Sequence, residues 1–223
     1  MLRLCFLIVA LSNLVRIAVA SKSIDQSARQ RHVLSCDSYD IKFPITTGTV
    51  IFWNNVGDDK EWVNVDNWRS DYLPGVHKYN RLVMAGANDK ASVHCPATYM
   101  KAGVDLEMRT KATMDVRADL NIGKKLVLKS DSAVTQSSQS TVSVGETMSL
   151  NALYDISDQA KLVVGSSVNI LAKGKLGIHG EGASVSAGDD LSILGTLNFR
   201  LGPNGAGIFN VNKTFNVGEK KKK

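Results

Sequence analysis

Few residues of this chain are of types that do chemistry, and their spacing argues against most reactions. The four histidines (His32, His77, His94 and His179) are scattered, and no two stand at zinc-ligand spacing. No nucleophile elbow, Walker loop or dinucleotide fingerprint is present. Carbohydrate cleavage calls for clustered carboxylates. The adjacent acidic pairs here are Asp58-Asp59 and Asp189-Asp190. Aromatic side chains offer a different chemistry, stacking against the faces of sugar rings. Trp62 and Tyr72 lie among polar residues and are the candidates for such a contact surface. The expectation is a binding protein without catalytic residues, cofactor or resident metal.

The frame for these residues begins with the chain's first 20 positions. Arg3, the apolar stretch Leu4 to Leu11 and the small residues Ala18-Val19-Ala20 read as a signal peptide cleaved before Ser21. The chain is then secreted or held at the cell surface, and no later apolar run is long enough to span a membrane. The formal net charge is +6, from 27 basic and 21 acidic residues. Without Arg3, Arg16 and the run Lys220 to Lys223, the body is neutral. That argues against nucleic acid as a partner, which would need Lys and Arg clustered on one face. Cys36 and Cys95 remain after cleavage, an even pair in an oxidising compartment. A bridge between them would contribute roughly 3–4 kcal/mol, and two separate buried thiols are the alternative. Asn212-Lys213-Thr214 is a glycosylation sequon, which places Asn212 at the surface.

A repeat fills the second half. Leu120-Asn-Ile122-Gly123-Lys-Lys-Leu126-Val-Leu128 is followed by Val142-Ser-Val144-Gly145-Glu-Thr-Met148-Ser-Leu150. The same pattern recurs around Gly165, Gly188 and Asn212, at spacings of 22, 20, 23 and 24 residues. Such recurrence marks a repeat architecture. Apolar-x-apolar is a short strand with one buried face, and the Gly or Asn reads as a left-handed corner. A third apolar pair follows in several repeats: Leu153 with Ile156, Leu176 with Ile178, Leu197 with Phe199. Three strands and three corners per repeat describe one coil of a parallel β-solenoid, an all-β fold. Five coils stacked at strand spacing rise about 24 Å. Residues 104–116 alternate in the same way and read as an earlier, less regular coil. Stacking places Glu146, Asp189 and the corner lysines along one edge, where a weak cation site would have room. The change of sign from coil to coil reads more simply as a solvated corner.

Residues 48–86 hold all three tryptophans: Trp53, then Trp62 and the pair Asn67-Trp68, followed by Pro74-Gly75 and the strand Arg81-Leu-Val-Met84. This resembles the W…NW…PG opening of secreted and cell-surface β-helical proteins, as in bacterial passenger-type adhesins and, in similar form, the amnionless ectodomain. The Gly-Asp usual before the strand is replaced by Val76 to Asn80. The resemblance implies a cap over the first coil. Trp53 and Trp68, beside apolar segments, would seal that open end.

The expected layout is a signal peptide (1–20), an N-terminal arm (21–47), a tryptophan-containing cap with first strands (48–103), about five solenoid coils (104–218) and a lysine tail (219–223). The corner positions are Gly123, Gly145, Gly165, Gly188 and Asn212. The expected function is extracellular binding or adhesion, with a glycan or surface protein held on a solenoid face. The alternatives are a structural wall or matrix component that self-associates end to end, and, less favoured, a polysaccharide lyase or hydrolase.

Overall fold

A computed structural model describes residues 50–53, 60–64, 67–68, 81–86, 89–97, 105–202 and 205–218. The described residues all belong to one compact unit within 41–223, and 1–40 lie outside the described residues. The signal peptide, the arm, the lysine tail, Tyr72 and Asp58-Asp59 also lie outside them. The described chain is a parallel β-solenoid of three sheets. The first contains β1 (Val50–Phe52), β2 (Arg81–Met84), β4 (Asp105–Met108), β7 (Leu126–Leu128), β10 (Met148–Leu150), β13 (Val168–Ile170), β16 (Leu191–Ile193) and β19 (Phe215–Val217). The second contains β3 (Lys90–Val93), β5 (Thr113–Val116), β8 (Ala133–Gln136), β11 (Leu153–Ile156), β14 (Lys175–His179) and β17 (Thr196–Arg200). The third contains β6 (Leu120–Ile122), β9 (Thr141–Val144), β12 (Lys161–Val164), β15 (Ser184–Ala187) and β18 (Ile208–Val211).

From β4 to β18 each turn contributes one strand to each sheet, and each strand pairs in parallel with its equivalent one turn away. The register carries the repeat directly: Val144 faces Val164, which faces Ala187, which faces Val211. Residues at alternate positions therefore stack into columns, and the inward columns of Leu, Ile, Val and Met are the core. About six turns are present, because β2 and β3 already belong to the stack ahead of the five regular repeats.

Two local expectations are corrected. The inward residues of β11 are Tyr154 and Ile156, while Leu153 points outward. The buried Tyr154 hydroxyl donates to Gln136 Oε1 of the turn before at 2.9 Å. Gln136 Nε2 in turn donates to the carbonyls of Ser140 and Lys161, so this buried amide is satisfied.

The corner glycines are also explained differently. Gly123, Gly145, Gly165 and Gly188 do not take positive φ. They stack in a column, and a Cβ on Gly145, Gly165 or Gly188 would collide with the carbonyl oxygen of the glycine one turn earlier. Close backbone approach, not left-handed geometry, requires glycine there. Apart from Lys60 ahead of Glu61, the left-handed non-glycine residues sit at the other two corners: Lys111 and Asp131 at one, Ser138, Gln139, Asp158 and Gln159 at the other.

Candidate functional site

The tryptophans pack at the N-terminal end of the stack. Trp53 and Trp62 stack at 6.0 Å, and Trp68 stands edge-on to both at 4.9 and 4.7 Å. Trp68 Nε1 donates to the Trp62 carbonyl at 3.0 Å. The Trp53 and Trp62 amides donate to the carbonyls of Val83 and Ser92, which ties the cluster to β2 and β3. Glu61 fastens the next segment: its carboxylate accepts the backbone amides of His94 and Cys95 and contacts His94 Nδ1 at 3.0 Å. Trp53 and Trp68 are buried, as a sealing role requires. Trp62 is 0% exposed, which overturns its expected place on a contact surface. It has no free face to offer a sugar, because its polar sequence neighbours surround a side chain that turns inward. Cys95 is buried and disulfide-bonded, and Cys36, its expected partner, lies outside the described residues. Asn212 is exposed at the turn between β18 and β19.

At the glycine corner, Asp189 is engaged by its neighbours. Lys213 Nζ lies 2.5 Å from Oδ1, and Ser166 Oγ donates to Oδ2 at 2.7 Å. These two contacts hold the Asp189 carboxyl below its ordinary range. Asp190 accepts the Thr214 amide. No group of three or more metal-ligating side chains occurs among the described residues.

Another concentration of polar groups lies along the corner joining the second sheet to the third. In the turns after β8 and β11, four residues separate Gln136 from Thr141 and Ile156 from Lys161. Both place two consecutive non-glycine residues at positive φ: Ser138 and Gln139, then Asp158 and Gln159. Their register equivalents Ile178 and Ser184 are separated by five residues, one more, and the left-handed positions pass to Gly180 and Gly182. The three stacked turns form an open groove of about 580 Å³ lined by Ser138, Gln139, Asp158, Gln159, His179 and Glu181. Gln139 Nε2 donates to Gln159 Oε1 at 3.1 Å, so the two amides form a short ladder along the groove.

One wall is fixed by a contact between turns. His179 Nε2 lies 3.1 Å from Asp155 Oδ1 of the preceding turn. Gly177 lies between them, and a Cβ there would strike both groups. The missing side chain is what lets the histidine and the carboxylate meet. His179 Nδ1 is buried without a hydrogen-bond partner among the described residues. The groove thus combines two carboxylates, two amides, a hydroxyl and an imidazole, with no Lys or Arg among its described lining residues. In the sequence, His179-Gly-Glu-Gly-Ala183 reads only as a glycine-rich turn. The signal that would have found the groove is the repeat itself, which aligns Gln139, Gln159 and Glu181 at one corner of successive coils.

No family model, curated protein or solved structure matches the chain.

Proposed function

We propose that this is an extracellular, non-catalytic binding protein that holds a glycan in the groove between the second and third sheets. The observation that carries the reading is the ladder of Gln, Asp and Glu side chains contributed by three consecutive turns to one open cleft. Sugar hydroxyls are paired donors and acceptors, and amides and carboxylates match them; a repeating ligand suits a repeating wall. The lining carries Asp158 and Glu181 and no described Lys or Arg, which favours a neutral or amino-bearing sugar over a polyuronate.

The test is a glycan array with the secreted chain, in salt that screens the lysine tail. Saturable binding to neutral or amino-bearing glycans is expected, weakened at least ~10-fold by Asp158→Asn with Glu181→Gln. A preference for acidic glycans, or binding that the double variant leaves intact, would sink this assignment. Paired carboxylates also serve glycoside hydrolysis, so reducing-end release is measured alongside; release would overturn the non-catalytic part of the reading.

A further inference from the structure

The corner joining the first sheet to the second is charged in the opposite sense to the groove. Lys90, Arg109, Lys111, Lys129, Lys173 and Lys175 lie along it or at its edge, against Asp89 and Asp131. Asp89 is taken up by the backbone amides of Ala85 and Gly86. Arg109 and Lys129 reach back to Glu107 and still leave 38% and 52% of their side chains exposed. Lys90, Lys111, Lys173 and Lys175 are exposed and form no ion pair among the described residues. From Lys90 to its register equivalent Lys175 the stack takes four steps, so the basic ridge is about 19 Å long.

The ridge is notched. The turns 129–132 and 171–174 each hold four residues, whereas the turn stacked between them holds only Asn151 and Ala152. The two missing residues open a cleft of about 360 Å³ over Ala133, Ala152 and Leu153. Ser130 and Asp131 line it from the turn before, Lys173 and Lys175 from the turn after. Leucines interleave with the cations here. Leu153 is 36% exposed and stands in register with Lys175, and Leu171, 39% exposed, directly follows its strand as Lys129 does.

We propose that this ridge rests on an anionic lipid surface, with one headgroup seated in the notch. A protruding edge meets a plane along its whole length, so the six cations reach the phosphates together, and each adds to the attraction. The leucines select lipid over a soluble polyanion. Apolar side chains gain nothing from a polyanion, whereas a membrane interface takes them up. In the notch, Lys173 and Lys175 match the headgroup phosphate, Asp131 matches the ammonium of a serine headgroup, and Leu153 meets the start of the acyl chain. The groove runs along a different corner, so a molecule lying on this ridge keeps the groove open to solvent. The inference is independent of what the groove binds.

Co-sedimentation with vesicles tests it, using the full secreted chain and, in parallel, the chain with Lys220 to Lys223 changed to Gln. Both should bind vesicles of mixed phosphatidylcholine and phosphatidylserine, neither should bind phosphatidylcholine alone, and added salt should release them. Lys173→Glu with Lys175→Glu should weaken binding ~10-fold or more, and Leu153→Ser with Leu171→Ser ~5-fold, at positions already exposed and with the β-rich circular dichroism unchanged. Asp158→Asn with Glu181→Gln, in the groove, should leave vesicle binding as it is. No binding to the mixed vesicles, binding lost when only the lysine tail is changed, or binding indifferent to the Lys173 and Lys175 changes would each overturn the proposal. Binding that survives the leucine changes would also overturn it and assign the ridge to a soluble polyanion.

Discussion

Glu107 shows how far a side chain can depart from what its strand pattern implies. It occupies the x position of an apolar-x-apolar strand, where the period predicts solvent, yet it is 1% exposed. Burial alone would push its carboxyl up. The hydrogen bonds from Arg109 at 2.7 Å and Lys129 at 2.5 Å, with the charge of Arg81 beside them, overcome that and hold it at about 2. A carboxyl whose folded value lies below its unfolded one stabilises the fold fully above the unfolded value, 4.5. That contribution disappears as pH falls from there towards 2. Glu107→Gln should therefore cost on the order of 2–4 kcal/mol near neutrality and much less in acid, as urea titrations at several pH values would show. Equal losses at pH 7 and pH 2.5 would contradict the assignment. Arg109 and Lys129 follow β4 and β7 at equivalent positions one turn apart, so half of this cluster was legible as a column. Arg81 was not, because it enters from the start of β2.

Among the elements, the strands were legible almost residue by residue, because five repeats put apolar residues at positions that only a stacked strand can use. β6, β7, β9, β10, β12, β13, β15, β16, β18 and β19 fall on the five repeated segments. Two things were hidden. In β11 the choice between Leu153 and Tyr154 depends on a hydrogen bond to Gln136, a buried polar residue that hydrophobic patterning reads as outside. At the corners, Gly can mean either positive φ or a missing Cβ, and sequence does not separate the two. The column tests the distinction. Gly165→Ala forces its new methyl against the Gly145 carbonyl and should destabilise by about 2 kcal/mol, since neighbouring turns must separate to admit it. Gly180 has positive φ and open space around it, so Gly180→Ala should cost only about 1 kcal/mol of backbone strain. Matched chemical denaturation of the two variants decides it, and the reverse order would refute the stacking account.

Over the whole molecule, the fold was readable and the candidate groove was not. The groove depends on side chains from three turns brought to one corner, and on an extra residue between Ile178 and Ser184 that looks trivial in a linear chain. The tryptophans misled in the opposite direction, since polar neighbours made Trp62 look available. Because it closes the first turn, Trp62→Ala should cost roughly 3–5 kcal/mol and expose the end to hydrogen exchange before the middle turns open. Uniform loss of protection along the stack would argue against a sealing role. In-register stacking has one more implication. Each turn touches only the turns on either side of it, so a turn is a unit of length, adding about 4.8 Å of rise. Copying one such unit would lengthen the groove by a single step and leave both ends as they are. The molecule is built as a graduated ruler, and the length of its groove can be reset by the number of its divisions.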